Sequence, residues 1–190
     1  FEMKDCGLSE VFNPSEIFLT QRSMDVSGSA VVSCMEGSRP ILVEIQALVS
    51  PTNLGVPRRT SIGVDHHRVS LLAAVLERHL ETHLYNKDIF LNVAGGVKVE
   101  DPAVDLGIVV AIASSILNKP IDTKTVLLGE VGLTGEVRGI SQVEVRLKEA
   151  SKLGFTHCIL PEINRERIYD ELPIKLSGVS SIKEVLKILS

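Results

Sequence analysis

Tryptophan is absent from this chain, and two tyrosines and five phenylalanines are its only aromatics in 190 residues. The core must therefore be aliphatic, and aromatic platforms on which nucleic-acid bases stack are scarce. Cysteine is just as sparse. Cys6, Cys34 and Cys158 stand far apart among apolar neighbours, with no CxxC pair. That pattern gives neither a zinc site nor a disulfide framework, and isolated thiols fit a reducing, cytoplasmic setting. No apolar run approaches the roughly 18 residues of a membrane-spanning helix, so no membrane partner is expected. No signal peptide opens the chain. It starts at Phe1 without an initiator Met, as a fragment of a longer protein would. An excess of positive charge is missing too: 20 Lys and Arg face 24 Asp and Glu, for a net charge of -4. This excludes a wholly basic nucleic-acid binder and leaves room for a local basic patch.

Two further absences concern phosphates and metals. The chain has no GxxxxGKS/T run, and Gly129, Gly132 and Gly135 follow a GxxGxxG spacing that does not open a helix. They read as turn glycines of a hairpin, not as a phosphate loop. In "HLETH", His79 and His83 share a helix face, but Glu81 stands two places after the first histidine, turned about 200° from it. A zinc protease needs the glutamate directly after that histidine. His79, His83 and the pair His66–His67 read as solvated surface, and no metal is expected.

What is present is a hydrophobic share of 44%, enough for one packed domain, with or without an appendage. "NPSEIFL" reads as a capped helical turn, Asn13 preceding Pro14. Two β-rich runs meet at Glu36-Gly37-Ser38-Arg39, a hairpin signal. Residues 50–65 carry the Pro, Gly and Asn of a loop. From Asp65, a plausible N-cap, Val69, Leu72, Ala73, Leu76, Leu80 and Leu84 recur at helical spacing. "DIFLNVAGGVKV" is a strand whose Gly-Gly marks a bulge or a close backbone approach. Residues 103–117 read as a buried helix, 125–140 as a hairpin and 142–153 as a helix ending at Gly154. "THCILP" is a buried strand, and a last strand and helix follow. Such irregular alternation, with hairpins interleaved, points to an α+β fold of mixed sheets and packed helices rather than a doubly wound one.

Three carboxylates precede the buried helix. Glu100 and Asp101 sit where a helix N-terminus welcomes negative charge, with Pro102 at its first position. Asp105 differs, because it lies in the first turn, followed by the close-packed Leu106-Gly107-Ile108. The other local charge of interest is positive. Arg58 and Arg59 stand in a polar loop directly before the Asp65 helix, and Arg68 falls in that helix's first turn. A cation there opposes the macrodipole and costs stability unless an anion compensates. Phosphate oxygens would suit these guanidiniums, and so would a salt bridge to Asp65 or another of the carboxylates. Arg22, Arg39 and Lys98 are weaker additions to the same set.

The runs "LNVAGGVKVEDPAVDLGIVVAIASS", "LLGEVGLTGEVRGI" and "RLKEASKLGFTHCILP", in that order, resemble the proteolytic domain of the Lon family. The likeness implies a ribosomal protein S5 domain 2-like fold. It also places Asp105 where that family has its nucleophilic serine and Glu144 where it has its lysine. A Ser–Lys dyad works because a desolvated, neutral Lys takes the hydroxyl proton as the Ser attacks. Asp105 and Glu144 supply neither part, so no catalytic residue is expected. A glycosidase-like carboxylate pair lacks a sugar-stacking aromatic nearby. A peptidase with a displaced nucleophile would have to use Ser114 or Ser115, three turns into the helix.

Over essentially its whole length the chain is similar to a family of bacterial recombination motors that carry an altered Lon-like domain. "SGSAVV", "RPILVEIQALV" and "PRRTSIGVDHHRVSLLAAVLERH" carry this second likeness. It implies that residues 1–24 are the tail of a RecA-like ATPase domain and 25–190 a catalytically inactive Lon-like domain. ATP, magnesium and zinc are implied only for parts that this sequence lacks. The implied function is a non-proteolytic scaffold within an ATP-dependent motor for branch migration. The implied partners are DNA (single-stranded or branched), other copies in a homohexameric ring, and the RecA recombinase. By the residues, the DNA contacts fall to Arg58, Arg59 and Arg68. A pure oligomerisation module is the bland alternative, recognisable by the absence of salt-sensitive DNA binding.

Overall fold

In the computed structural model, the structure describes residues 2–4, 7–9, 13–19, 25–52, 55–80, 82–168 and 172–189. A short antiparallel pair, β1 (Glu2–Lys4) and β2 (Gly7–Ser9), precedes helix α1 (Pro14–Leu19). Strands β3 (Ser29–Glu36) and β4 (Arg39–Pro51) follow, then β5 (Arg59–Ile62), α2 (His66–His79), β6 (Lys87–Val93) and α3 (Asp105–Leu117). The second half runs β7 (Thr125–Leu127), β8 (Glu130–Val131), β9 (Val137–Arg138), α4 (Val143–Lys152) and β10 (His157–Pro161). It closes with α5 (Glu162–Arg165), β11 (Lys175–Val179) and α6 (Ile182–Leu189).

Seven strands form one mixed sheet in the order β11-β10-β7-β3-β4-β6-β5. Its β3–β4 and β4–β6 pairs are antiparallel, and its other four are parallel. With helices packed on it, the domain belongs to the expected mixed α and β class. Side-chain alternation divides β3 and β4 between two cores. Val32, Val43 and Ile45 pack with α2, α3 and α6, while Val31 and Leu42 pack with Val143, Leu147 and Ala150 of α4. Helices α3 and α4 therefore lie on opposite faces of the sheet. Helix α3 presses hard on β3. A Cβ added at Gly107 would sit 2.0 Å from Val32 Cγ1, so only glycine permits this approach.

Several sequence expectations meet their counterparts. Gly37 and Ser38 form a two-residue turn, Gly37 at φ 60°, with Glu36 paired to Arg39. Asp65 caps α2, its Oδ1 accepting from the Arg68 N–H at 2.8 Å. The Gly-Gly interruption is a close approach, because a Cβ on Gly95 would meet Phe18 Cδ1 at 2.4 Å.

Three local expectations need correction. Residues 50–65 are not all loop: Arg59–Ile62 form edge strand β5, parallel to β6. The flanking Pro and Gly masked a Thr-Ser-Ile run that suits a pleated edge. Helix α2 stops at His79, and Leu80 turns extended while its N–H closes on the Leu76 carbonyl. Leu84 is buried all the same, from the connection after the helix, where its N–H meets Glu77 Oε1 at 2.8 Å. The hairpin at 125–140 is narrower than its run of valines and leucines predicts. Only β8 and β9 pair, while β7 joins β3 and β10 in the main sheet.

Cys34 and Cys158 are buried free thiols. Burial pushes Cys34 up to about 11 and drives Cys158 higher still, so both stay neutral. Cys6, Arg22 and Glu81 lie outside the described residues. No helix among the described residues is long and apolar enough to cross a membrane.

Candidate functional site

A concavity of about 670 Å³ opens where the start of α2, the segment before α3 and β8 converge. Five carboxylates (Asp65, Glu100, Asp101, Asp105 and Glu130) and two cations (Arg68 and Lys98) line it. At its floor is Asp105, 1% exposed at the first position of α3. Arg68 reaches it from α2 with both arms of the guanidinium: Nε donates to Oδ1 at 2.8 Å, and Nη2 donates to Oδ2. The Val131 N–H of β8 donates to the same Oδ2 at 3.1 Å, and Arg68 Nη2 touches the Val131 carbonyl at 3.3 Å. One ion pair thus ties α2, α3 and the β8–β9 hairpin together. Burial pushes the Asp105 carboxyl above its ordinary value, against the hydrogen bonds from Arg68 and Val131. The bond to Asp105 holds Arg68 firmly protonated.

The anion that the macrodipole argument required for Arg68 is therefore Asp105, a residue of the chain itself. Of the other two entrance carboxylates, Asp101 caps as expected and Glu100 does not. Asp101 Oδ1 accepts from the Ala103 N–H at 3.0 Å and caps a single 3-10 turn, Pro102–Val104, that leads into α3. Its Oδ2 accepts from the Met35 N–H and pairs with the fully buried Arg146 of α4 at 2.7 Å. Nothing in the sequence marked Arg146 out; a cation at an apolar helix position was the one available signal. Glu100 makes an exposed pair with Lys98 at 2.6 Å.

The two dyad positions do not meet. Glu144 is exposed on α4, across the sheet, and lines a separate concavity with Gln142, Asn164 and Arg167. The serines in α3 are committed to the backbone. Ser114 Oγ is fully buried, accepting from the Gly28 N–H and donating to the Lys119 carbonyl. Ser115 Oγ accepts from the Val49 N–H at 3.0 Å.

The arginines before α2 are also engaged. Arg58 Nε and Nη2 donate to Asp88 Oδ2 at 3.1 and 2.8 Å, and its backbone N–H donates to Oδ1 at 2.8 Å. Those bonds hold the Asp88 carboxyl below the usual carboxylate range. The Arg58 side chain stays 55% exposed. Arg59, half-buried, donates to the Lys87 and Leu84 carbonyls. Arg39 is exposed at the β3–β4 turn. His79 is not the solvated residue expected: both ring nitrogens are buried, Nε2 close against Gly135, whereas His83 is exposed as expected, beside Tyr85. Among the described residues no three His, Cys, Asp or Glu side chains converge on a common point for an ion.

A family model described as subunit ChlI of Mg-chelatase matches residues 51–164, from the end of β4 into α5. The DNA repair protein RadA of Halalkalibacterium halodurans is 53% identical over 188 residues, 99% of this chain and 41% of that protein. RadA of Bacillus subtilis is 53% identical over 98% of this chain, and RadA of Streptococcus pneumoniae 48% over 98%. The chain spans about two fifths of the length of these relatives. This chain belongs to the family of the ChlI model, and its homologues of about 50% identity are DNA repair proteins RadA.

Proposed function

We propose that this chain is the non-proteolytic, Lon-like domain of a RadA-type DNA repair protein, a scaffold that also contacts DNA. One observation carries the reading. Asp105, which the motif resemblance aligns with the nucleophile of Lon-like proteases, is buried and locked by an arginine and a backbone N–H. Both of its oxygens are engaged by these donors, and it offers no hydroxyl for a lysine to activate as in a Ser–Lys dyad. Neither Ser114 nor Ser115 is a better nucleophile, since each hydroxyl already serves the backbone. The S5 domain 2-like classification rests on the resemblance of motifs, and the mixed sheet is compatible with it.

In the longer protein, residues 1–24 would join a RecA-like domain, and ATP, magnesium and zinc would bind outside these 190 residues. The whole would work in the cytoplasm as a hexameric motor for branch migration, alongside RecA. Of the three arginines, Arg58 is best placed to meet a phosphate, because its guanidinium keeps an exposed edge beyond the Asp88 bonds. Arg59 and Arg68 would shape the loop and the cleft behind it.

The test is fluorescence anisotropy of labelled single-stranded DNA over a salt series, with the chain and its Arg58→Ala/Arg59→Ala variant. Loss of phosphate contacts weakens binding and flattens the salt slope by about one unit per contact. Equal binding by both proteins would remove these arginines from the DNA path. Peptide cleavage that disappears with Asp105→Ala would restore the peptidase reading.

A further inference from the structure

Where β4, β6 and β5 lie side by side, one face of the sheet is open. Ala47, Leu91 and Val93 point into the core, so the alternate residues point away from it. The register sets Leu48, Phe90 and Thr60 in one row across the three strands, and Gln46, Asn92 and Ile62 in the next. Leu48 is 61% and Ile62 59% exposed, and these rows line a shallow concavity of about 270 Å³. Arg58 lies over the Phe90 ring, its guanidinium carbon 5.6 Å from the ring centroid. Large aliphatic side chains grouped at such exposure mark a contact surface.

The chemistry of this surface selects among contacts. It holds one partly buried aromatic ring with a guanidinium over it, and two carboxamides one row away. Asn92 Nδ2 and Gln46 Oε1 are 3.4 Å apart, a weak bond that other partners can replace. The nearby carboxylates, Glu44 and Asp88, are each 2% exposed, so the charge turned outward is positive. A base stacks on an aromatic face whatever its identity, amides read base edges, and an arginine edge takes a phosphate.

We propose that this face of β4, β6 and β5 binds single-stranded DNA, with a base stacked against the Phe90–Arg58 pair and a backbone phosphate at the exposed edge of Arg58. The proposal rests on the DNA-contact reading above and gives it a specific surface. It also places the stacking platform that the scarcity of aromatics made unexpected.

The chain lacks tryptophan, so Phe90→Trp installs a single fluorescent reporter at the proposed stack. Titration with oligothymidylate should quench its emission along the same curve as anisotropy binding. An abasic oligomer of equal length should bind more weakly and leave the emission unchanged. Phe90→Leu keeps an apolar side chain on the strand and should weaken binding about fivefold to tenfold, the loss of one stacked base. Its urea midpoint and circular dichroism report whether the fold survives. If the wild type binds DNA while Phe90→Leu binds equally and Phe90→Trp emission does not move, the face is not the site, though the DNA reading stands. Failure of the wild type to bind single-stranded DNA removes that reading and this inference together. A change confined to self-association, seen by gel filtration, would make the face a contact between copies and overturn the proposal.

Discussion

The molecule contains two arginine–aspartate pairs built on one plan and put to different use. In each, the carboxylate is 2% exposed and takes two guanidinium bonds plus one backbone N–H. Arg68–Asp105 joins three elements, and its arginine side chain is 33% exposed. Arg58–Asp88 joins a loop end to the neighbouring strand β6 and leaves its arginine side chain 55% exposed. The first pair closes a cleft; the second presents a cation. Identical chemistry becomes structure or surface according to how much of the arginine the surroundings cover.

The sharpest way to break that contrast is Asp105→Ala. It leaves Arg68 beside a cavity without its counter-charge and should cost about 3 kcal/mol, read as a drop in the urea midpoint. The double change Arg68→Met/Asp105→Leu should recover most of that loss, since apolar groups of similar volume replace a buried pair at little cost. Persistent loss in the double variant would mean that the pair contributes more than its charge balance. Asp88→Asn should move the midpoint less, because water solvates the arginine left behind, and it should leave the Asp105 cleft intact.

The smallest expected effect is a difference of sign with pH. Asp105 is raised in the fold, so the folded chain takes up its proton before the unfolded chain does. Stability of the wild type relative to Asp105→Asn should therefore rise as pH falls from neutral towards about 4. Asp88 is lowered, so its contribution is complete above the ordinary carboxylate value and is lost below about pH 4. There the wild type should lose ground to Asp88→Asn. Urea midpoints from pH 7 to pH 3 for the three proteins separate the two trends; parallel curves would show that the pairs respond alike.

Much of the fold was legible because its signals are local. The cap at Asp65, the Gly37 turn and the glycine after α4 each declare themselves within a few residues. Strand β5 did not, because four residues at a sheet edge carry little periodicity between Pro57 and Gly63. The site was half legible. The resemblance singled out Asp105 and Glu144, and the helix dipole showed that Arg68 needed an anion. Which anion, and the separation of Glu144 by the whole sheet, depend on chain segments that only folding brings together. The stacking of Arg58 on Phe90 belongs to the same class, since one lies in the loop before β5 and the other on β6.

Strand β3 sits between two kinds of neighbour, and this has a consequence for how the chain folds. On one side it pairs with β4 through a two-residue turn, and on the other with β7, where Val31 meets Val126. That second partner lies roughly a hundred residues away, and each doubling of a closed loop adds about 0.6 kcal/mol of entropy cost. The antiparallel half should therefore form early and act as the template on which β7, β10 and β11 are later laid. Pulse-labelled hydrogen exchange during refolding should find the amides between β3 and β4 protected before those between β7 and β10. Simultaneous protection would mean that the sheet assembles as one unit.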